Sequence, residues 1–542
     1  MRPLFWTSLA LLAVGCESFD DASDKTPIVA DPGVGETGDT DGDTGSDSSN
    51  DTGDSAIQVE TGETGDPRVD ADGDGFYSTE TGGDDCDDGD ERTFPGAVER
   101  CDGRDNDCDG TIEGEGDNDA DATLDCEDYC PVFASWGASG DGRVTHPIGT
   151  IQDAVDLAGS TGCNEVRAYY GTYSENVNFN GYGVNVESIS GSAATTINGG
   201  GFDSCVIIEE DGDGDLDEDN ARISGFTLTN GGGSTGAGIR IKECSPSIED
   251  NIITDNVTES EGVGGGIRIY NGSPSIVGNE ITNNDACYSG PESGCDGGAI
   301  DIRGGAPTIT DNLMAGNSAG DGGAIWLAYS EAYIANNWIV GNMAEDSAEE
   351  DEEGQERDGQ GGGIDVQIGG ANGGTIITNN IIADNSASAL GGGIVVYEPH
   401  VDYPNVTITN NIIAFNSVLE TDWGAGFAQW NGTVPVVYNN IIYGNVGVGA
   451  YGDDDVATWM WLNNDIYGNF PDFDGTLSSA SGTGNLGVDP EFTAASNDGD
   501  WTNDDFHLKA TSVCIDAGKA DVYDTDGSTS DMGAYGGPAG GW

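Results

Sequence analysis

The chain has 542 residues, of which 99 are acidic and only 16 are Lys or Arg, so its formal net charge at pH 7 is −83. A surface this negative repels phosphate backbones, which excludes nucleic acid as a partner, and it concentrates divalent cations. The 12 cysteines are typical of an exported chain with disulfides in an oxidising compartment.

The first segment, residues 1–16 (MRPLFWTSLALLAVGC), combines one Arg with an apolar stretch too short to span a bilayer. This pattern is typical of an export signal. Its end, Ala13-Val14-Gly15-Cys16, resembles a bacterial lipobox, with Ala13 where that family usually has Leu. The resemblance implies diacylation of Cys16 and anchoring to the outer membrane or cell surface. Ordinary signal cleavage followed by secretion is the alternative.

Two acidic regions follow, and they differ in the spacing of their residues. Residues 17–66 consist mainly of Thr, Gly, Asp and Ser, with few apolar side chains. Such a segment cannot bury enough surface to offset its ordering entropy, so we predict a disordered, solvated tether. Residues 67–131 are also acidic but carry regularly placed Gly, Cys and aromatic residues, which favours a folded, ligand-binding module.

From Val132 onward a short unit repeats. Each unit starts with a glycine cluster and a strand, such as GGGIRI at 264 or GGAIWL at 322, followed by two further short strands. Asn residues five positions apart bracket the third strand, at 251/256, 279/284, 312/317, 337/342, 380/385, 411/416, 440/445 and 464/469. Constant spacing inside the unit with variable inserts between units predicts stacked coils. Stacked Asn amides would form ladders at left-handed corners.

This repeat resembles the pectin-lyase-like superfamily. The resemblance implies an all-β fold, a single-stranded right-handed parallel β-helix, over residues 132–475. THPIGTIQDAVDLAG, near the start of this range, is similar to the family's amphipathic N-terminal cap, with Thr150 and Asp153 in a variant capping box. Residues 476–542, with DFHL, CIDAG and DMGAYGG, are similar to the family's C-terminal closing segment.

The acidic module carries carboxylates at alternate positions before glycine, which is the first half of a calcium loop. Asp70, Asp72 and Asp74 precede Gly75. The same spacing recurs in Asp105, Asp107 and Asp109 before Gly110, with Glu113 as a further ligand. The segment from Asp70 resembles the metal-binding repeat of the MopE-type family of secreted bacterial proteins. The next segment, DNDADATLDCEDYCP, is similar to a thrombospondin type 3 repeat. The candidate ligands for Ca²⁺ are Asp70, Asp72, Asp74, Asp105, Asp107, Asp109, Glu113, Asp117, Asp119, Asp121, Asp125 and Asp128.

Zinc is disfavoured because the module contains no histidine and its cysteines are better used in disulfides. The thrombospondin resemblance implies that Cys126 or Cys130 is disulfide-bonded. Further along the chain, a local disulfide between Cys287 and Cys295 is predicted, and a bridge between Cys205 and Cys244 is possible on the same grounds. A second acidic loop, with Asp211, Asp213 and Asp215, is a weaker metal candidate because Leu216 stands where glycine is required.

Residues that alternate outward from the glycine-cluster strands predict an exposed face. Tyr270, Trp326, Tyr397 and Trp430 are its carbohydrate-binding candidates. Asp301 and Asp365 lie two coils apart there, and they are the catalytic candidates together with His400 in a loop.

The favoured function is a calcium-binding surface scaffold that binds extracellular polysaccharide or other cell-surface material. The alternative is a polysaccharide lyase or glycoside hydrolase that uses the exposed face.

Overall fold

A computed structural model of the chain describes residues 71–541 with gaps. The gaps are residues 73–75, 91–92, 96–104, 106–107, 109, 111–129, 211–216, 260–261, 287–293, 346–358, 368–373, 398–405, 420–422, 431–434, 454–460, 476 and 478–481. The predicted tether, Cys16 and His400 therefore lie outside the described residues. No helix in the described ranges is both long and apolar enough to cross a membrane.

Strands of the described chain form three long parallel sheets, to which successive coils contribute in turn. Strands are numbered in chain order. Sheet 1, which follows the glycine clusters, contains β4 (Val177–Asn178), β7 (Val206–Glu209), β10 (Ile239–Lys242), β13 (Ile267–Tyr270), β16 (Ile300–Arg303), β20 (Ile325–Ala328), β24 (Ile364–Gln367), β28 (Ile394–Tyr397), β32 (Phe427–Trp430), β35 (Ala450–Gly452) and β38 (Phe473–Gly475). Sheet 2 contains β1 (Val132–Ala134), β2 (Glu165–Ala168), β5 (Asn185–Ser188), β8 (Arg222–Ser224), β11 (Ser247–Glu249), β14 (Ser275–Val277), β17 (Thr308–Thr310), β21 (Tyr333–Ala335), β25 (Thr375–Thr378), β29 (Val406–Thr409), β33 (Val436–Tyr438) and β36 (Trp461–Leu462). Sheet 3 contains β3 (Gly171–Tyr173), β6 (Thr195–Asn198), β9 (Thr227–Thr229), β12 (Ile252–Thr254), β15 (Glu280–Thr282), β18 (Leu313–Ala315), β22 (Trp338–Val340), β26 (Ile381–Ala383), β30 (Ile412–Ala414), β34 (Ile441–Tyr443) and β37 (Asp465–Tyr467).

Smaller elements complete the described chain. A short fourth parallel sheet contains β19 (Ser318–Ala319), β23 (Met343–Ala344), β27 (Ser386–Ala387) and β31 (Ser417–Val418). An antiparallel pair contains β39 (Phe492–Ala494) and β40 (Asp505–Leu508). The helical elements are α1 (Ile151–Thr161) and 3₁₀ turns at Thr79–Thr81, Asp217–Asn220 and Trp501–Asn503. The predicted all-β parallel β-helix is confirmed.

Aliphatic side chains fill the interior because each strand turns alternate residues inward. In sheet 2, Ile248 pairs in register with Ile223 on one side and Ile276 on the other, and all three are fully buried. Ile253 and Ile281 of sheet 3 stack in the same way. The core is therefore a set of in-register aliphatic columns along the coil axis.

The predicted Asn ladders are confirmed. The side-chain amide of Asn251 donates to Oδ1 of Asn279 (3.2 Å), and that of Asn279 donates to Oδ1 of Asn312 (3.1 Å). A second ladder runs parallel to the first through the other Asn of each pair, as between Asn256 and Asn284 (2.9 Å). The left-handed residue was predicted wrongly, since it lies one position before the ladder Asn: Asp250 has a φ of 53°. The ladder amide thus points inward from a corner that the preceding residue makes.

Helix α1 packs against the first coil. Thr150 caps it by accepting a hydrogen bond from the backbone N of Asp153 (3.1 Å), and Gly162 ends it with a φ of 79°. The carboxylate of Glu175 also accepts from the backbone N–H groups of Ile151 (2.9 Å) and Gln152 (3.0 Å). A carboxylate at this end satisfies helix donors that lack intrahelical partners. The buried face of α1 covers the otherwise open end of the apolar core.

The C-terminal tail both extends the last coil and covers part of sheet 3. Asn485 continues one Asn ladder by accepting a hydrogen bond from the backbone N of Asn464 (2.9 Å). The chain then returns along the outer side of sheet 3, where Phe492 and Phe506 pack on Ile381 and Ile412. The physical reason is that β26 and β30 are apolar on both sides, so their outer faces need a cover.

The disulfides are partly as predicted. Cys86 pairs with Cys108, and Cys130 pairs with Cys163, which ties the strand β1 region to the end of α1. Cys295 is disulfide-bonded, while Cys287 lies outside the described residues. A bridge between Cys205 and Cys244 was wrong: both are buried thiols. Their sulfurs hydrogen-bond instead to backbone oxygens, Cys205 to Thr229 (3.3 Å) and Cys244 to Ile208 (3.3 Å).

Candidate functional site

The first candidate site is built on the tight loop between Phe76 and Asp85. The backbone oxygen of Tyr77 accepts from the N–H of Asp85 (3.0 Å), and the oxygen of Asp85 accepts from the N–H of Thr79 (2.8 Å). The Thr79–Thr81 turn lies between these contacts. Phe76 stacks on Phe94 with ring centroids 5.1 Å apart. The loop thereby buries Asp85 completely.

Three carboxylates converge at this loop. Oxygen atoms of Asp72, Asp85 and Asp88 all lie within 4.8 Å of one another. Oδ1 of Asp88 accepts from the backbone N of Ala71 (2.9 Å), and Oδ1 of Asp85 accepts from that of Asp87 (2.9 Å). Carboxylate oxygens bind Ca²⁺ at about 2.3–2.6 Å, so two oxygens on one ion are at most about 5 Å apart. The three carboxylates therefore fit a shared cation.

Neither described cysteine beside this cluster can supply a thiolate. Cys86 and Cys108 lie beside Asp85, but they are joined in a disulfide, and the backbone N of Cys86 hydrogen-bonds Sγ of Cys108 (3.1 Å). A disulfide supplies no thiolate, which is the form that binds metal. The described donor set is therefore oxygen only, which suits hard cations rather than copper or zinc.

The predicted ligands are only partly brought together. Asp72 joins the cluster, but with Asp85 and Asp88, which the sequence reasoning missed because it followed the alternate-acid pattern before glycine. Oδ2 of Asp105 accepts from the backbone N of Gly110 (2.9 Å), which closes a local turn. The other predicted ligands, and the weaker loop at Asp211, Asp213 and Asp215, lie outside the described residues. A signal for the missed pair was the acid-rich run DDCDD directly after Gly82 and Gly83.

The second candidate site is the outward face of sheet 1. The register places Trp326 between Asp301 and Asp365, so the two carboxylates are two coils apart as predicted. Asp301, Trp326 and Asp365 form a column along sheet 1, and the prediction that this column is exposed was wrong. Asp301 and Asp365 are fully buried, and Trp326 is 9% exposed. The reason is the glycine turn before each strand, which lies against the column. A Cβ on Gly361 would be 2.7 Å from that of Asp365.

Charged groups surround Asp301. Its Oδ1 lies 2.9 Å from Nε of Arg268, and its Oδ2 lies 3.9 Å from Nε of Arg303. Arg303 also pairs with Asp296 (2.8 Å), and its guanidinium lies 4.8 Å above the ring of Trp326. Burial raises the pKa of Asp301 to about 7 although the two guanidinium groups favour its ionised form. Burial also lowers the pKa of Arg268.

Asp365, two coils away from Asp301, has a different partner. Its Oδ2 accepts a hydrogen bond from Nε2 of Gln367 (3.3 Å), and burial raises its pKa well above the ordinary value. Two buried carboxyls with raised pKa values are typical of general acids, but they also occur at structural sites. The third catalytic candidate, His400, lies outside the described residues.

The aromatic candidates separate into two groups. Trp326 is covered by Arg303 and cannot stack on a ligand. Tyr270 is 40% exposed and pairs in register with Arg303 on the next strand. Tyr397 and Trp430 are half-buried neighbours on adjacent coils. Trp430 packs against two rings that sequence reasoning missed, Trp423 (centroids 5.0 Å apart) and Tyr451 (5.7 Å).

The chain was compared with protein-family models, curated proteins and solved structures. The family model for the Cu-binding MopE metal-binding motif matches residues 85–113. No curated protein matches the sequence. Among solved structures, the chain is similar to the crystal structure of pectate lyase Pel9A, with 16% identity, a TM-score of 0.44, and coverage of 75% of this chain and 96% of that one. It is also similar to the crystal structure of the Dettilon tailspike protein, with 14% identity, a TM-score of 0.21, and coverage of 66% and 67%.

Proposed function

We propose that this chain is a calcium-binding β-helix scaffold that binds extracellular polysaccharide through aromatic side chains. The observation that carries the binding role is the cluster of Trp423, Trp430 and Tyr451, whose rings pack on one another and remain partly exposed. Aromatic rings that are held in place and half-exposed offer an apolar face with little ordering cost on binding.

Calcium is the metal that the donor set supports best. Asp72, Asp85 and Asp88 contribute hard oxygen atoms, the neighbouring sulfurs are in a disulfide, and residues 67–131 contain no histidine. When bound, the cation would neutralise repulsion among the carboxylates and link Asp85 to the preceding segment. Binding would therefore stabilise the loop.

The metal proposal is tested by isothermal titration of the full chain with Ca²⁺ and with Cu²⁺. Asp85→Asn removes the buried carboxylate charge and should weaken the tightest Ca²⁺ binding by about tenfold or more. Asp84→Asn is the matched control, because Asp84 is exposed and outside the cluster. Equal losses in the two variants, or a preference for Cu²⁺ over Ca²⁺, would contradict the proposal.

The binding role is tested by affinity electrophoresis of the full chain in gels that contain neutral or acidic polysaccharides. Trp430→Ala should weaken the retardation that the unmodified protein shows. Tyr329→Ala is the control, since Tyr329 is 68% exposed and outside the cluster. If no polysaccharide retards the protein, or if both variants bind unchanged, the aromatic cluster is not a glycan site.

We also propose that the chain is exported and lipid-anchored through Cys16. The support is the apolar leader and the lipobox-like residues before Cys16. Metabolic labelling with a radioactive fatty acid should label the protein but not its Cys16→Ser variant, which should be released from the membrane fraction. Equal labelling of both would contradict lipidation, and retention in the cytoplasm would contradict export.

A second candidate function is polysaccharide cleavage by a lyase or a glycoside hydrolase. It is favoured by the two buried carboxyls of Asp301 and Asp365, which flank Trp326 and both have raised pKa values. Reducing-end and unsaturated-uronate assays on mixed polysaccharides test it. Activity that disappears in both Asp301→Asn and Asp365→Asn would support the enzyme. Glycan binding without turnover would support the scaffold.

A further inference from the structure

A groove on the first coil is lined by residues that belong to neither candidate site. It has a volume of about 650 Å³, which is within the range of ligand pockets. Its lining includes Trp136, Val144, Pro147, Tyr169, Tyr170 and Thr172. Trp136 is 65% exposed, Tyr170 is 72% exposed and Val144 is 54% exposed. Large exposed apolar side chains that cluster in a concave surface indicate a binding site.

The groove is held in shape by the backbone of the first two strands of sheet 2. The N–H of Tyr169 donates to the oxygen of Ala134 (2.9 Å). The buried hydroxyl of Tyr173 lies within hydrogen-bond distance of the backbone oxygens of Ala134 (3.1 Å) and Tyr169 (2.9 Å). These contacts fix the two segments that carry the exposed rings, so little order has to be gained on binding.

Close packing fixes Trp136 and Tyr169 as well. Gly171 has a φ of 147°, and a Cβ there would lie 3.0 Å from Cβ of Trp136. The absence of a side chain lets the indole lie against the backbone. Tyr169 stacks on Phe133 with centroids 5.9 Å apart. The aromatic surface is thus built into the fold.

The charge of the groove sets it apart from the rest of the chain. None of the described residues that line it is charged, although the whole chain carries a formal net charge of −83. The nearby Arg143 is paired with Asp141 (3.4 Å) and contributes no unbalanced charge. A polyanionic glycan would be repelled by the protein as a whole and would find no cation in the groove.

From these observations we infer that the groove around Trp136 and Tyr170 binds a neutral polysaccharide, whose sugar rings stack on the two exposed aromatic side chains. The inference rests on the proposed polysaccharide-binding function and names both a second site and the class of its ligand. It also predicts that neutral glycans are preferred over polyuronates.

The test is affinity electrophoresis of the full chain with a neutral β-glucan, a neutral β-mannan and polygalacturonate. Trp136→Ala and Tyr170→Ala should each weaken binding of a neutral glycan at the groove by about tenfold. The double variant should keep only the retardation that the Trp430 cluster causes, and adding Trp430→Ala should remove that as well. The control is Phe202→Ala, because Phe202 is 88% exposed on a turn outside the groove. Thermal unfolding should be unchanged in all three single variants.

The outcomes separate the groove from the proposed function. Neutral-glycan binding that is lost in Trp430→Ala but intact in the groove variants would overturn the groove and leave the scaffold proposal standing. Binding of polygalacturonate alone would overturn the neutral-ligand inference. Self-association that Trp136→Ala abolishes, without any glycan binding, would show that the groove receives a second copy and would overturn both proposals.

Discussion

Asn410 and Asn411 are adjacent in sequence but hydrogen-bond in opposite directions. The amide of Asn411 donates to Oδ1 of Asn440 (3.0 Å), inside the ladder. Asn410 has a φ of 54°, and its amide donates outward to the backbone oxygen of Asp531 (2.9 Å) in the C-terminal tail. One corner of the coil thus supports both the ladder and the attachment of the tail.

The first prediction compares these two side chains. Asn411→Ala should lower the free energy of unfolding by about 3 kcal/mol. It leaves the buried backbone N–H of Asn380 without its acceptor and removes one hydrogen bond from the side-chain amides of Asn380 and Asn440. Asn410→Gly keeps the left-handed conformation but removes the side-chain hydrogen bonds to the tail, so it should cost about 1–2 kcal/mol. Urea denaturation followed by circular dichroism measures both.

Limited proteolysis adds a second readout. Asn410→Gly should speed cleavage within the tail, whereas Asn411→Ala should not do so selectively. Equal destabilisation by the two substitutions would show that the ladder contributes no more than the tail contact.

The sequence was informative where one local pattern determines the structure. The five-residue Asn spacing predicted both ladders, and the aliphatic residue between each pair predicted the core. The position of the tail on sheet 3 was not predicted, because its partner surface, Ile381 and Ile412, is distant in sequence. Its signal was local all the same: the runs IIA in β26 and β30 abandon the alternation of polar and apolar residues.

The sites were less predictable than the fold. Whether Asp301 is exposed depends on how the glycine turns fold over sheet 1, which residue alternation does not encode. The cluster of Asp72, Asp85 and Asp88 depends on the path of a loop. The pairing of Cys130 with Cys163 depends on where α1 ends. Each of these is a tertiary relationship between segments that the repeat does not constrain.

The second prediction concerns the loop that holds Asp85. A Cβ on Gly83 would lie 1.9 Å from the backbone oxygen of Tyr77, which accepts the hydrogen bond from Asp85. Gly83→Ala must therefore displace this oxygen and should weaken Ca²⁺ binding by about tenfold or more in isothermal titration. Gly89→Ala is the control, since its Cβ would meet only Oδ1 of Asp87 at 3.6 Å. Unchanged affinity in Gly83→Ala would separate metal binding from this loop.

The third prediction concerns the disulfide between Cys130 and Cys163, which are 33 residues apart. Closing a loop of this length restricts the unfolded chain, so the double substitution to Ser should lower stability by about 3–4 kcal/mol. Thermal unfolding with and without a reductant measures the effect. Reductant should lower the melting temperature of the unmodified protein more than that of the variant. An equal decrease in both would assign the effect to the other disulfides.

The fourth prediction is a pH dependence of tail attachment through Asp465. This side chain is fully buried between the last coil and the tail, where it accepts hydrogen bonds from the backbone N of Val488 (3.0 Å) and from Sγ of Cys514 (3.4 Å). Burial raises the pKa of Asp465 to about 6. The folded protein therefore binds more protons than the unfolded chain between pH ~4 and ~6. The contribution of Asp465 is complete below pH ~4 and is lost as the pH rises through about 6.

Asp465→Asn should remove this dependence, because the amide is neutral at every pH. In urea denaturation, the unmodified protein should lose up to about 3 kcal/mol more stability than the variant between pH 4 and 7. Asp311→Asn is the control, since Asp311 is exposed and its φ of 58° suits Asn. General repulsion among the many carboxylates changes all three proteins alike, so the difference isolates Asp465. Parallel stability curves for the unmodified protein and Asp465→Asn would show that its carboxyl is ionised in the folded state.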